Sequence, residues 1–255
     1  MTRSPIKRPG GKFPLLRQLL VQVERGGAHT CYAEVFGGGL ALLLNKPRSQ
    51  VEVINDIDGD IVNAWTHIQN HMPEIRRLLR QKINARQVFI EARSNAAPTA
   101  MQRAADWLFL NSTCFGGDNQ SFGVQKLVGG GAASRLSRKI PNLREARKRL
   151  DGVIIEHLGW ERMFRNYDGP HTLWFLDPPY VGGSQKDYAA WTMEQMEAFA
   201  NAVRRLKGKW IVTVGGTPEM EALWDGFQTV KEVRSLVLGP NRKGKRFAEL
   251  IITNF

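Results

Sequence analysis

The sequence contains only two cysteines, Cys31 and Cys114, among 255 residues. They do not have the spacing of zinc ligands, and one pair of cysteines is no disulfide framework, so neither kind of site is indicated. No apolar run approaches the ~20 residues that a membrane span requires. The basic N-terminal residues 1–12 lack the apolar stretch of a secretory signal. We therefore expect a cytoplasmic protein with no membrane partner and no metal.

Acidic residues are scarce relative to basic ones. The sequence contains 24 Asp and Glu but 36 Lys and Arg, which gives a formal net charge of +12. The excess is concentrated in residues 66–150, which contain 15 Lys and Arg against 5 Asp and Glu. This asymmetry indicates a polyanionic partner, most commonly nucleic acid. The charge alone fits an ordinary basic globular protein equally well.

Strand and helix patterns alternate at both ends of the chain but not in its middle. Residues 30–63 read as strand, glycine turn, helix, strand and helix, which is a βαβ unit. In this interpretation residues 40–46 form the first helix, and Ile57 begins the apolar face of the second. The alternation returns at Asp151 and ends in a β-hairpin.

The middle of the chain reads as helices with a glycine-rich loop. A length of 255 residues fits one large domain or one domain with an insertion. We therefore predict an α/β fold with a mixed, mostly parallel sheet formed by residues 1–65 and 151–255. Residues 66–150 form a mostly helical insertion in this interpretation.

Three glycines, Gly37, Gly38 and Gly39, directly follow the first predicted strand, where they let the backbone approach a ligand closely. Their spacing differs from the dinucleotide fingerprint, and no phosphate-loop Lys or Ser follows, so a triphosphate fits poorly. Asp56 stands nineteen residues beyond Gly37, at the end of the second strand, where a carboxylate suits the hydroxyls of a ribose. Asp58 is the alternative, or simply the cap of the next helix.

Trp160 ends the third predicted strand, GVIIEHLGW (152–160), and could stack on an adenine ring there. The adjacent Gly159 would permit close approach of that ring. A core tryptophan at a strand end is nearly as good an interpretation.

The stretch TLWFLDPPY, residues 172–180, ends a buried strand in a carboxylate, two prolines and an aromatic ring. Ligands of open α/β sheets bind at the carboxyl ends of the strands, so Asp177 is expected to face the same crevice as the glycines and Asp56. Pro178 and Pro179 stiffen the backbone. The Asp177 carboxylate and the Pro178 carbonyl are then two acceptors for a planar ring's amine, and Tyr180 can stack on that ring.

This arrangement suits methylation of an exocyclic amine, whose lone pair is delocalised into its ring. Two acceptors draw the nitrogen towards tetrahedral geometry and stabilise the positive charge that develops on it. The methyl group would come from a sulfonium cofactor. A rigid surface turn is the alternative for a DPPY sequence alone, but its position at a strand end beyond the glycines and Asp56 favours the catalytic interpretation.

These motifs resemble those of the DNA adenine methylase (Dam-type) family of N6-adenine DNA methyltransferases, in the family's order over nearly the whole chain. The residues RPGGK (8–12) resemble an N-terminal cofactor-binding element, and EVFGGGLAL resembles the motif E-P-F-x-G-x-G-x-x-F. FLNSTCFGG (109–117) and the closing GPNRKGKRFAELIITNF also match family elements, and DPPY is identical to the catalytic motif. The resemblance implies a Rossmann-like class I methyltransferase sheet and the cofactor S-adenosylmethionine.

Carried onto this sequence, the resemblance gives one set of catalytic residues and one set of cofactor-binding residues. The catalytic set is Asp177, Pro178 and Tyr180. The cofactor-binding set is Gly10, Gly11, Lys12, Glu34, Phe36, Gly37, Gly38, Gly39, Asp56, Trp160 and Asp177. The sequence departs from the family where Arg8-Pro9 replaces Trp-Ala and where Phe-Gly-Gly-Asp (115–118) stands for Tyr-Asn-Gly. The family's recognition sequence is therefore not carried over.

The expected partner is double-stranded DNA, with the target adenine rotated out of the helix to reach Asp177. Basic side chains near the glycine-rich loop and in the hairpin loop are candidates for phosphate contacts. They are Arg135, Arg138, Lys139, Arg242, Lys243, Lys245 and Arg246. The sequence REARKRL (144–150) is interpreted as a solvated helix face, and the amides of DNQSFGVQ (118–125) suit adenine edges.

Three alternatives remain beside adenine methylation in DNA. The same chemistry on cytosine N4 or on RNA adenines is possible in principle, although cytosine-N4 enzymes more often resemble Ser-Pro-Pro-Tyr, so Asp177 favours adenine. An inactive methyltransferase fold that only binds DNA is disfavoured by the intact Asp56, Asp177 and Tyr180. The setting, whether phage, prophage or restriction-linked modification, is left open.

Overall fold

The fold is described from a computed structural model. The structure describes residues 1–8, 10–114, 119–122, 136–182, 190–236 and 245–255. For residues 136–141, 234–236 and 245–247 the description covers the backbone alone.

Within these residues, seven strands form one sheet in the order β3-β2-β1-β4-β5-β7-β6. The pairs β1–β4, β2–β3 and β4–β5 are parallel, and β7 is antiparallel to both β5 and β6. This arrangement confirms the predicted mixed, mostly parallel sheet with a terminal hairpin. The strands are β1 (Cys31–Glu34), β2 (Val51–Asn55), β3 (Ile154–Glu156), β4 (Thr172–Leu176), β5 (Lys209–Gly215), β6 (Gln228–Leu236) and β7 (Lys245–Thr253).

The α-helices of the described residues flank these strands in sequence, and a short 3-10 helix, Phe13–Leu15, precedes the first. Among the described residues, five of them, α2 to α6, follow one another without an intervening strand. The α-helices are α1 (Leu16–Arg25), α2 (Gly59–Asn70), α3 (Met72–Gln81), α4 (Arg86–Arg93), α5 (Ala100–Thr113), α6 (Leu136–Leu150), α7 (Trp160–Tyr167), α8 (Met193–Val203) and α9 (Pro218–Leu223).

Strand β4 is the strand that carries the DPPY sequence at its end. All five of its residues are buried, as expected for a strand with parallel neighbours on both sides. The continuous apolar pattern of TLWFL therefore reflects burial on both faces of the sheet. The residue that follows, Asp177, is the first polar side chain with partial exposure.

Helix α2 begins one residue after Asp58, whose Oδ1 accepts hydrogen bonds from the amides of Asp60 at 3.0 Å and Ile61 at 3.4 Å. This side-chain cap satisfies amides that lack a partner inside the helix. The buried face of the helix consists of Ile61, Ala64, Trp65 and Ile68. The prediction for Ile57 was wrong: it precedes the cap and its side chain is 69% exposed.

The predicted helix at residues 40–46 was also wrong. These residues form consecutive turns, with single bonds such as Leu44 N to Leu40 O at 3.0 Å. Leu40 has a φ of +53°, outside the right-handed helical region, and Pro47 cannot supply a further amide. The leucines at 42–44 are nevertheless buried, so their apolar run reflected burial and not a helix.

The chain divides into two compact units. The first contains residues 1–16, 37–47 and 53–159, and the second contains residues 17–36, 48–52 and 160–255. In the first unit, α5 contacts α2, α3, α4 and α6, which explains why nearly all of its second half is buried. The second unit contains β1 and β4–β7 with α1, α7, α8 and α9.

Candidate active site

Asp177 lies one residue beyond β4 and is half-buried. The parallel register pairs Leu176 with Val212, so the next residue on each strand, Asp177 and Thr213, are neighbours. Thr213 Oγ1 donates a hydrogen bond to Asp177 Oδ1 over 2.7 Å, and Thr213 itself is completely buried. The carboxylate predicted to be catalytic is therefore held by a side chain of the adjacent strand.

The rest of the DPPY sequence is anchored as well. Pro178 is buried, Pro179 is half-buried, and the half-buried Tyr180 donates its hydroxyl hydrogen bond to Glu249 Oε1 over 2.7 Å. Glu249 lies on β7, opposite Gly215 at the end of β5, and is 1% exposed. Both polar ends of the motif thus have partners in the second unit.

Glu34 is the last residue of β1 and is 1% exposed. It accepts a 2.7 Å hydrogen bond at Oε1 from the hydroxyl of Tyr32, which is also buried. The two side chains meet because residues two apart on a strand point to the same face. The structure places Glu34 at the carboxyl end of β1, and its role in cofactor binding stays a prediction.

Phe36 and Trp160 belong to one cluster of rings in the second unit. Both pack edge-on against the buried Phe199, with ring centroids 5.6 Å and 5.4 Å from it. Trp191 joins them at 5.3 Å from Phe199 and 5.7 Å from Phe36. Phe36, Trp160 and Trp191 are each half-buried, so the cluster keeps exposed aromatic surface. Trp160 is the first residue of α7, not the end of a strand as predicted.

The glycine turn follows β1 and belongs to the first unit. Gly37 N donates to Asn55 O over 2.7 Å, and a Cβ on Gly37 would lie 3.0 Å from that oxygen. Gly38 has a φ of +47°, a left-handed conformation that side chains disfavour, and its Cβ position has no atom within 4 Å. Gly39 lies against the backbone of Ile6. The turn therefore requires glycine at position 37 because a Cβ there would crowd the carbonyl oxygen of Asn55. It requires glycine at position 38 because the backbone there is left-handed.

Asp56 binds this turn directly. Its Oδ2 accepts from Gly38 N over 2.8 Å and its Oδ1 accepts from Asp58 N over 2.9 Å. Burial raises the pKa of the Asp56 carboxyl above its ordinary value, and these two amides offset part of that rise. Asp58 caps α2 and accepts a 3.2 Å bond from Arg8 Nη2. Asp58 is therefore engaged as the helix cap and by Arg8, and the ligand role of Asp56 stays a prediction.

The N-terminal glycines form a compact turn in the first unit. Gly11 N donates to Arg8 O over 3.1 Å, and Gly10 has a φ of +75°. Lys12 Nζ donates to Gly10 O over 2.7 Å, although the lysine is only 5% exposed. A buried ammonium is costly unless polar groups surround it, and the Gly10 carbonyl is one such group.

The residues predicted to contact DNA fall mostly outside the described side chains. Arg135, Arg242 and Lys243 lie outside the described residues. The backbone alone is described at Arg138, Lys139, Lys245 and Arg246, in α6 and β7. All seven stay predictions, as do the amides of residues 118–125 that were predicted to suit adenine edges.

Exposed basic side chains do occur where the structure is described. One group of them lies on α3 and α6, which pack together, and it consists of Arg77, Arg80, Arg144, Arg147 and Lys148. Lys148 is within 3.5 Å of Glu145 on the same helix. This surface agrees with the predicted solvated face of REARKRL.

Membrane-spanning helices and clusters of metal ligands are both absent from the described residues. None of the helices there combines the length and apolar composition needed to cross a membrane. Nor does the same part of the chain bring three or more His, Cys, Asp or Glu side chains together in a way that could hold a metal ion.

Sequence reasoning missed Thr213, Glu249 and Trp191. Thr213 is a polar residue within the apolar strand WIVTV, and Glu249 is an acid before the apolar run LIIT. Each was therefore visible as a polar residue at a buried position, where a partner is required. Nothing in the sequence around Trp191 indicates that its ring meets Phe36.

Comparison with known proteins identifies the family. The model of the D12 class of N6 adenine-specific DNA methyltransferases matches residues 9–236. The chain belongs to this family. The resemblance predicted from DPPY and the glycine motif is thereby confirmed, and so is the activity, methyl transfer to adenine N6 in DNA.

Two relatives from viruses agree with this assignment. The type II methyltransferase M.CviBI of Paramecium bursaria Chlorella virus NC1A is 23% identical over 234 residues, which cover 87% of this chain and 86% of that protein. The DNA N-6-adenine-methyltransferase of Escherichia phage P1 is 30% identical over 121 residues. That match covers 45% of this chain but only 16% of the phage protein.

One solved structure, an rRNA methylase from Streptococcus thermophilus, is 12% identical to this methyltransferase and covers 97% of each chain. The TM-score is 0.33, too low to support a structural argument.

Proposed function

We propose that this methyltransferase binds S-adenosylmethionine and methylates an adenine that has been rotated out of duplex DNA, with Asp177 and the Pro178 carbonyl as acceptors for the target amine. The observation that carries this proposal is the fixed position of Asp177. Its carboxylate lies at the carboxyl end of the buried β4 and accepts the Thr213 hydrogen bond at 2.7 Å. Fixed acceptors cost no reorganisation when charge develops on the substrate.

The residues of the first unit fit the cofactor chemically. Among the described residues, and apart from the chain neighbours of Gly38, no atom lies within 4 Å of a Cβ built there, so a ligand can approach the backbone. A carboxylate has about four lone-pair positions, and the amides of Gly38 and Asp58 each use one at Asp56, which leaves capacity for ribose hydroxyls. The buried ammonium of Lys12 suits a carboxylate.

The second unit also contains side chains that suit groups of the cofactor. The buried carboxylate of Glu34 suits an ammonium group such as that of the methionine part. The half-buried rings of Phe36, Trp160 and Trp191 offer apolar surface for an adenine. When bound, the cofactor supplies an electrophilic methyl group on a sulfonium.

The chain's own residues then act on the amine of the target adenine. Asp177 and the Pro178 carbonyl each accept a hydrogen bond from one of its two N–H groups, which draws the nitrogen out of conjugation with the ring. The negative charge of Asp177 stabilises the positive charge that grows on the nitrogen. Tyr180 stacks on the extruded base and so replaces part of the stacking that was lost in the duplex.

The proposed phosphate contacts would offset the rest of the cost of extruding the base, which is a few kcal/mol. Basic residues in the glycine-rich segment and the hairpin loop are proposed for this role on the basis of charge. Binding of this kind is strongly dependent on salt.

The decisive experiment is to incubate the protein with isotopically labelled S-adenosylmethionine and unmethylated duplex DNA. The DNA is then digested to nucleosides, and the modified base and its flanking sequence are identified. We expect the label on N6 of adenine. Label on cytosine would overturn the substrate, and absence of label from the DNA would leave the RNA-methylating and the DNA-binding alternatives.

A further inference from the structure

Glu249 is a buried acid of the second unit that none of the roles above uses. It lies on β7, where it pairs with Gly215 of β5 and is 1% exposed. The strands approach closely here, because a Cβ on Gly216 would lie 2.7 Å from the Cβ of Ala248. The position of Glu249 is therefore set by the sheet and not by a loop.

The hydrogen bond from Tyr180 to Glu249 connects this fixed position to the DPPY motif. The phenol oxygen lies 2.7 Å from Glu249 Oε1. The phenol oxygen lies on the axis about which the ring turns, so the hydrogen bond restrains the direction of the side chain. It restrains the ring plane as well, because a phenol O–H prefers to lie in that plane. The two prolines before Tyr180 have fixed φ angles, which restrict the backbone that leads to it.

A buried carboxylate needs a reason, since burial of a charge is unfavourable without hydrogen-bond partners. Residues 250–252, which follow Glu249 on β7, are all buried and apolar. An apolar residue at 249 would therefore suit the core of the strand. The hydroxyl of Tyr180 is one hydrogen-bond partner that favours an acid at this position.

We propose that Glu249 is a positioning residue that sets the ring plane of Tyr180 for stacking with the extruded adenine. This inference rests on the proposed function. A stacked base needs a ring of defined orientation, because offset-parallel contact is lost when the ring rotates. A phenol that donates to a carboxylate also has a more electron-rich ring, which favours the base as positive charge develops on its amine.

The test compares four variants of the full chain, after the wild-type target sequence has been determined. Glu249→Gln keeps an acceptor oxygen and Glu249→Leu removes it. Tyr180→Phe keeps the ring without its hydroxyl, and the double variant Tyr180→Phe/Glu249→Leu removes the pair. For each, kcat, the KM for DNA and the cofactor dissociation constant are measured. Fluorescence of duplex DNA with 2-aminopurine at the target position reports stacking of the extruded base.

We expect Glu249→Leu and Tyr180→Phe to lower kcat by about tenfold each, the size expected for one hydrogen bond to a charged group. In both variants 2-aminopurine should be brighter than in the wild-type complex, while cofactor affinity is unchanged. The double variant should be no worse than either single variant, because both remove the same bond. Glu249→Gln should retain most of the wild-type activity.

The inference is overturned if Glu249→Leu matches the wild type in both kcat and fluorescence. It is also overturned if the decrease in kcat of the double variant equals the product of the decreases in the two single variants. It is also overturned if Glu249→Gln is as impaired as Glu249→Leu. Should Glu249→Leu fail to fold, Tyr180→Phe and Glu249→Gln decide the question by the same criteria. Failure of the proposed function is distinct, since the wild type itself would then not methylate adenine in DNA.

Discussion

The hydroxyl of Thr213 lies 2.7 Å from Asp177 Oδ1 and donates a hydrogen bond to it. The two residues meet because each follows a paired position, Leu176 and Val212, on the parallel strands β4 and β5. Thr213 is completely buried, so its side chain is restrained by packing as well as by the bond. The orientation of the Asp177 carboxylate is therefore a property of the sheet.

Replacement of Thr213 by valine is expected to lower kcat by roughly ten- to a hundredfold, because a hydrogen bond to a charged group contributes about 1.5–3 kcal/mol. Thr213→Ser keeps the hydroxyl and should retain most of the activity. Steady-state kinetics at saturating DNA and cofactor measure the effect, with the cofactor dissociation constant as the control. A valine variant with the wild-type kcat would show that the bond does not position Asp177 for the reaction.

Asp177→Ala is expected to abolish detectable turnover while it leaves cofactor affinity nearly unchanged. Removal of one preformed stabilising group at a reacting centre commonly costs about 10²–10³-fold in kcat, and the lost negative charge adds to this. Asp225→Ala is the matched control, because Asp225 is an exposed aspartate in the same unit. Isothermal titration with the cofactor separates the two effects. Equal loss of binding and turnover would mean that Asp177 is structural.

The sheet could be predicted from the sequence because its signals are local. The run TLWFL ends in Asp177, and all five of its residues are buried in β4 as the pattern indicates. The failures arose where an apolar run had two explanations. Residues 42–44 are buried in turns and not in a helix, because Leu40 at a φ of +53° interrupts the right-handed path. Such a conformation at a leucine has no signal in the sequence.

The acids and glycines of the site were predictable from their positions after strands, but their partners were not. Asp56 was predicted from its distance to Gly37, yet its bond to the Gly38 amide depends on how the turn closes. Thr213 and Glu249 are far from the DPPY motif in sequence. They meet it only through the pairing of β5 with β4 and β7, which depends on the tertiary fold.

The φ of +47° at Gly38 predicts different outcomes for two substitutions. The Cβ position there is open, so any loss of stability comes from the backbone conformation. Asparagine tolerates left-handed angles, whereas a β-branched residue does not, and the difference is about 1–2 kcal/mol. Gly38→Asn should therefore unfold at a higher denaturant concentration than Gly38→Val. Equal midpoints would indicate that the turn is not held in the left-handed region.

The raised pKa of Asp56 predicts how stability depends on pH. The folded state holds this proton more tightly than the unfolded state, in which the pKa is near the ordinary 3.8. The free energy of unfolding contributed by Asp56 therefore falls as the pH rises from 3.8 to the folded pKa, and is constant above it. The measurement is the unfolding free energy of the wild type minus that of Asp56→Asn across this window, and it should fall as the pH rises. A difference that grows with pH would mean that the folded pKa is lowered.

The proposed phosphate contacts predict a change in the salt dependence of DNA binding. For duplex DNA, each lost phosphate contact reduces the slope of log K against log salt by about 0.9. Arg138→Ala and Arg242→Ala should each show this reduction when a fluorescent duplex is titrated between about 50 and 200 mM salt. Arg147→Ala is the matched control, because Arg147 is exposed on the predicted solvated face of α6. If the control alone reduces the slope, the phosphate contacts lie on that face of α6 and the assignment to residues 138 and 242 is wrong.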